Sequence, residues 1–434
     1  MRELLASRAY WLLLAMIGPL VGHAFITAVE TYAEMSGLGG GPAALAQGLS
    51  PLDGLLVPTL GAYDLAATFL LPFVAIRLVA AERESGAARL LAQTPLGLPV
   101  RLAVKAAVLL LGWLAAWIPA GVALGLWLGY GGHLALPETA GLFLGHLLRA
   151  LLTAGVAVAA AAVCRSSSSA AIVTLGFTVG TWALDFLAAG RGGLLERLAP
   201  FTPTAALRTF EHGELRLAVA AVLLLASLTG FAFAALWLDP FRTAASRVVL
   251  SAALLLVTLG AAAFASSWQS GWDLSEDRRS SFPRADEALL RGLDRPVRVT
   301  AFLSPEDPKR SDLDRNIVAK LRRVLPRFEV DYEFQSRSGL FEDPASHYGE
   351  IWYQVGSRRE MLRSTTEPIV LAKIYELAGV EPPSGDPGPA YPGYPLAAAP
   401  RGAAFVFFVA WPLAAGLAFF AFRGRWRSSC RNLV

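Results

Sequence analysis

Charged side chains are scarce in this chain of 434 residues: they make up 17%, against 55% hydrophobic, and the mean hydropathy is +0.49. A soluble globular domain carries about 25% charged residues, so the composition excludes one and requires an integral membrane protein. Cysteine is nearly missing too. Cys164 and Cys430 fall at predicted helix ends, which excludes a disulfide framework and a cysteine metal site. No segment reads G-x-x-x-x-G-K-[ST], and Gly39-Gly40-Gly41 is followed by Pro42 where that motif needs a lysine. The chain therefore holds no nucleotide by that route. H-E-x-x-H and G-x-S-x-G are absent and the five histidines are dispersed, which leaves no catalytic or metal spacing and no cofactor in this chain. The net charge of +4 and pI near 9.2 come without a basic run interleaved with aromatics, so nucleic acid is excluded as a partner.

What is present is a series of long apolar runs. Segments near the ~20 residues needed to cross a bilayer lie at 9–29, 55–80, 102–128, 139–163, 168–189, 215–238, 246–267 and 402–422. Arg2 and Arg8, Arg77 to Lys105, Arg165, Arg242 and Arg247, and Arg423 to Arg431 occupy alternate connections, while 30–53 and 129–138 have no Lys or Arg. The positive-inside rule then places both termini in the cytoplasm, and the first run reads as a retained span. Trp11, Trp127, Trp182, Trp237, Trp268, Trp411 and Trp426 near span ends fit interfacial anchors. Gly121, Gly125 and Gly129 fit close helix packing. The connection 190–214, with Leu194, Leu195, Leu198, Phe201, Leu207 and Phe210, reads as a short helix lying in the outer interface or dipping back into it.

From 270 to 381 the chain becomes polar and alternating. Val297 to Leu303 and Phe328 to Phe334 read as strands, Leu313 to Leu325 as the helix between them, 351–355 and 359–363 as a hairpin, and 367–378 as a helix. The expected fold class is thus a polytopic α-helical membrane protein of about eight transmembrane helices with one α/β extracytoplasmic domain. The expected divisions are a six-span domain at 1–240, a seventh span at 241–269, the outer domain at 270–381, a Pro/Gly-rich tether at 382–401, and an eighth span with a basic tail at 402–434.

Two groups of residues stand out chemically. Arg149 lies well inside the fourth run, one turn after His146 on the same face; Asp64 and Asp185 lie in the outer parts of the second and fifth. A charge at that depth is costly unless it meets protein or water. The spacing leaves two readings open: Arg149 lines a translocation path with His146, Asp64 and Asp185 or pairs with one of those carboxylates, or Arg149 snorkels toward the outer interface with the carboxylates near the surface. Asp273, Glu276, Asp277 and Asp286 lack any EF-hand spacing and read as a solvated face. The second group is Ala80 to Pro95, a charged stretch between two apolar runs, where Glu82, Gly86, Arg89 and Gln93 share one helical face. An interfacial helix would turn Glu82 and Arg89 toward the cytoplasm.

Pro72, Arg77, Glu82-Arg83-Glu84-Ser85-Gly86, Leu90-Leu91, Thr94-Pro95 and Lys105, with Arg2-Glu3-Leu4-Leu5, Arg8 and Trp11, resemble ABC-2 type transporter permeases over residues 1 to 238. Trp272 to Asp277 and Leu290 to Ser304 resemble the start of the auxiliary domain of gliding-motility-type ABC transporters, here shorter and fused to the permease. The resemblance implies an inner-membrane permease subunit, with export as the family's direction of transport. Glu82, Arg83, Glu84, Gly86 and Arg89 would couple it to a separate cytoplasmic ATPase, present in two copies and holding ATP and Mg. It also implies a homodimer or pairing with a second permease, an envelope partner for the domain within 270–400, and no catalysis by this chain. The alternative is a non-transporting anchor or sensor whose outer domain binds an envelope partner.

Overall fold

The computed structural model describes residues 2–35, 50–84, 86–87, 93, 97–188, 193–268, 270–276, 278–293, 295–304, 307–325, 327–333, 347–383, 400 and 402–431. Among them, eight helices are long and apolar enough to cross a membrane: Arg8–Glu34, Leu52–Glu84, Leu98–Gly129, Leu136–Val163, Ser167–Leu187, Leu217–Leu238, Ala244–Ser266 and Ala403–Arg423. The chain is a polytopic helical membrane protein. It divides into two compact units, one of Met1–Trp182, Ala206–Gly271 and Pro392–Val434, the other of Ala183–Ala205 and Trp272–Tyr391.

The second and third spans exceed their apolar runs, and each is broken by proline. The second begins with a π turn at Leu52–Leu56, continues as Val57–Phe69, breaks at Leu70 and resumes as Leu71–Glu84 with Pro72 in its first turn. The third breaks at Trp117, between Leu98–Ala116 and Ile118–Gly129, with Pro119 just inside the second piece. Proline has no N–H to give, and its ring pushes away the carbonyl one turn earlier.

At the second of these breaks another span completes the ladder. The Tyr63 hydroxyl accepts from the Ala120 N–H at 3.2 Å and donates to the Ala116 carbonyl at 3.0 Å, taking the place of one helical bond. Its ring stacks on Trp117 with centroids 4.0 Å apart. An unpaired backbone group has no water to turn to in a bilayer. Tyr63→Phe is therefore expected to lower stability by about 2 kcal/mol and to speed amide exchange at Ala120, measured by thermal unfolding and hydrogen exchange in detergent. Unchanged exchange at Ala120 would show that the hydroxyl does not complete the ladder.

Small residues do bring helices together, but at other positions than Gly121, Gly125 and Gly129. A Cβ at any of those three would meet nothing within 4 Å, because they lie on the exposed side of their helix. Close approaches occur instead at Gly155 and Gly230, where the fourth and sixth spans touch backbone to backbone, and, among others, at Gly18 and Gly22, against Trp411 and Phe407 of the eighth. Trp127, expected at an interface, is fully buried and donates to the His133 carbonyl at 2.7 Å. Being enclosed by Tyr32 and its own following turn, it packs as core.

The connection between the fifth and sixth spans splits in character. Helix Gly193–Leu198 and Phe201 leave their apolar side chains exposed. The connector helix Pro203–Glu211 buries Leu207 and Phe210, with Phe210 set against Gly145 and among Leu148, Leu152 and Leu223. Of the two placements considered from sequence, the second half of the connection takes the inward one.

The second unit contains a four-stranded sheet. Val297–Ala301 runs parallel to Phe328–Tyr332 on one side and antiparallel to Ile351–Val355 on the other, and Arg358–Leu362 completes the hairpin. The crossover between the parallel pair is helical from Pro308 to Val324. Ile351, Tyr353 and Val355 alternate inward and join Val297, Val299, Leu313, Ile317, Leu321, Val370 and Ile374 in one core. Helix Arg284–Arg291, not anticipated from sequence, adds Leu290 to it. Lys320, buried there, pairs with Glu367 at 2.6 Å. Among the described residues no three metal-type ligands converge; Asp286 accepts a hydrogen bond from the Tyr375 hydroxyl at 2.6 Å, and Asp277 lies outside the described residues.

Candidate functional site

The charged stretch after the second span is anchored to its neighbours. The helix ends at Glu84, and Gly86 has a φ of 75°, a left-handed conformation that glycine adopts without strain. The helical face expected from Glu82 through Gln93 is thus interrupted at Gly86. Glu82 does not face water as the spacing suggested. Its carboxylate lies 2.7 Å from Lys105 Nζ at the start of the third span, and Lys105 also donates to the Leu78 carbonyl and lies 3.8 Å from Glu3. Arg83 donates to the carbonyls of Ala161, Ala162 and Cys164 at 2.5, 3.1 and 3.0 Å. A cation there satisfies carbonyls that the end of the fourth span leaves open and meets the negative end of its dipole. Ser167, the first residue of the fifth span, donates to Glu84 at 2.6 Å. Glu82 and Arg83 therefore hold helix ends together, Glu84 and Gly86 are exposed, and Arg89 lies outside the described residues.

The second cluster is in the middle of the bundle. Arg149 sits about 20 Å from either end of its 28-residue helix and is 3% exposed. Its Nε donates to the Asp64 carboxylate, and a terminal nitrogen lies 3.4 Å from Thr68 Oγ1. The Thr68 carbonyl in turn accepts from Thr178 of the fifth span at 3.2 Å. Of the two readings open from sequence, Arg149 takes the paired one: a guanidinium enclosed by protein and matched by a carboxylate has no need to reach an interface. Asp64 is correspondingly an ion-pair partner. His146, one turn away, is buried with its ring 5.9 Å from that of Trp117, and its Nε2 has no hydrogen-bond partner among the described residues. Asp185, expected near an interface, is buried in the fifth span.

No family model, curated protein or solved structure matches this chain. Function must therefore be inferred from these two clusters.

The sequence reading passed over one member of the inner cluster. Glu211, the last residue of the connector helix, has its pKa raised from 4.5 to about 7, first by burial and then by the negative charge of Asp64, with Arg208 and Arg149 pulling the other way. The available signal was Arg208 and Glu211 at i, i+3 beside Leu207 and Phe210, a pattern of charges carried on a helix that buries its other face. The folded chain holds this proton more tightly than the unfolded chain does. Between about pH 4.5 and about 7 the unfolded state has released a proton that the folded state retains, so stability falls as pH rises through that window and levels off above it. Glu211→Gln is expected to flatten this dependence, by an amount on the order of 2 kcal/mol. Thermal unfolding in detergent from pH 4 to 8 measures it, and equal slopes in both proteins would refute it.

Proposed function

We propose that this chain is the membrane-spanning subunit of an ABC transporter, an exporter by resemblance, driven by a separate cytoplasmic ATPase that holds the ATP and Mg. In this reading the end bearing Glu84, Gly86 and the basic connections is cytoplasmic, both termini lie there, and the unit containing the four-stranded sheet is extracytoplasmic. Two ATPase copies serve a homodimer or a pair of permeases, and this chain does no covalent chemistry. The outer unit recognises an envelope partner or cargo.

The observation that carries the proposal is the anchoring of the charged turn. Arg83, Lys105 and the Ser167–Glu84 bond tie the second span to the third, fourth and fifth at one end, while Glu84 and Gly86 stay exposed to a partner. A push on that turn is delivered to four helices at once, which suits a rigid-body switch. Glu84→Lys reverses an exposed charge and leaves the Lys105 and Arg83 contacts in place. Copurification from native membranes should recover an ABC ATPase with the wild-type chain, and Glu84→Lys should lower its association and ATP turnover by about tenfold, the scale of one lost charged contact. If no ATPase accompanies the wild type, or turnover is unchanged in the variant, the coupling role is wrong.

A further inference from the structure

Beside the anchored turn lies a cavity of about 370 Å³, lined by Val79, Glu82 and Arg83 of the second span, Gln93 of the connection that follows, Leu98, Arg101, Leu102 and Lys105 of the third span, Leu238 at the end of the sixth, and Pro240 and Phe241 beyond it. Its charges are unevenly matched. Lys105 is paired with Glu82, and Arg83 is spent on helix-end carbonyls. Arg101 has no carboxylate partner among the described residues, and its Nε is buried without a hydrogen bond. A guanidinium N–H enclosed and unmatched is costly, and its planar fork suits the oxygens of a phosphate.

Apart from Gln93 the rest of the wall is apolar, and it continues outward onto Phe241, which is 87% exposed. A cationic floor with an apolar flank, at the level where membrane spans end, has the polarity of a phospholipid: phosphate inward, glycerol and chains along Leu98, Leu238 and Phe241. Basic clefts between span ends attract anionic headgroups for this reason. We propose that the cleft binds one anionic phospholipid, with Arg101 as the ligand of its phosphate. This site depends only on the chain being embedded in a membrane; it stands whether or not an ATPase docks on the adjacent turn.

The test uses the full chain in mild detergent, titrated with phosphatidylglycerol and, separately, phosphatidylcholine, with bound lipid counted by native mass spectrometry. One phosphatidylglycerol per chain is expected to be retained in preference to phosphatidylcholine. Arg101→Glu and Phe241→Ala should each weaken retention, Arg101→Glu by about tenfold, the scale of one charge-assisted contact. Arg77→Ala, an exposed arginine on the second span, should leave retention unchanged. Because Phe241 is exposed, its variant tests the site without a risk to folding. Equal retention in wild type, Arg101→Glu and Phe241→Ala would overturn the proposal. So would displacement of the lipid by millimolar inorganic phosphate, which would make the cleft an anion site. Loss of ATPase association in Arg101→Glu with lipid retention unaltered would likewise overturn it and assign the cleft to the protein partner.

Discussion

Replacing Arg149 by methionine is expected to destabilise the chain by about 3 to 5 kcal/mol, the cost of leaving one member of a buried ion pair alone. The pair lies mid-span, enclosed by the second and fourth spans and by the connector helix, so water does not readily replace the lost partner. Asp64 would then be left among the spans without its counter-charge. Asp64→Asn should cost less, because its amide still accepts from the guanidinium. The informative variant is the double one: Asp64→Leu with Arg149→Met removes both charges and should recover most of the loss. Thermal unfolding of wild type, Asp64→Leu, Arg149→Met and the double variant in one detergent gives the cycle. A double variant no more stable than Arg149→Met alone would mean that the pair contributes something other than mutual neutralisation.

A comparable effect is expected where two backbones meet. A Cβ on Gly155 would lie 2.7 Å from the Ser227 carbonyl oxygen, and one on Gly230 would lie 2.6 Å from the carbonyl carbon of Gly155. A clash with a flexible side chain is relieved by rotation, whereas these obstacles are the neighbouring helix itself. Gly155→Leu must therefore separate the fourth and sixth spans along the length of their contact, with a loss of about 3 kcal/mol or more. Gly155→Ala should shift stability in the same direction by less. Gly121→Leu, made where nothing lies within 4 Å, supplies the control and should be silent. Melting temperatures distinguish the cases, and a Gly155→Leu protein as stable as Gly121→Leu would refute the close approach.

The contrast between these glycines shows what sequence can and cannot deliver. Apolar length located all eight spans, since a run of some 20 residues has few alternatives to crossing a bilayer. Period-two alternation located the strands at 297, 328 and 351, since each buries one face. The span ends were harder: Pro72 and Pro119 were visible as letters, but a proline does not reveal whether the helix resumes beyond it. Gly121, Gly125 and Gly129 have the spacing of a packing face, while Gly155 and Gly230 sit amid alanines and leucines and gain their meaning only from facing each other. The inner site was half legible. Depth alone made Arg149 conspicuous, but its partner was a choice among carboxylates. Glu211 was passed over because it belongs to a connection, where a carboxylate is ordinarily solvated; Phe210 seated on Gly145 is what carries it inward. At the charged turn Glu82 was read as facing the cytoplasm because helical periodicity orders residues around an axis without saying which side the other helices occupy.

Tyr63 gives the bundle a joint that neither helix possesses by itself. One step of the third span's ladder is supplied by a hydroxyl belonging to the second, so the two cannot slide past each other without undoing it. From Tyr63 to the exposed turn at Glu84 is about 30 Å of helix, broken at Leu70. Under the proposed coupling the second span would serve as a connecting rod, tied to the third by Lys105 at its charged end and by the Tyr63 hydroxyl at the far half, and Tyr63→Phe would remove that second tie while leaving Lys105 and the stack on Trp117 in place.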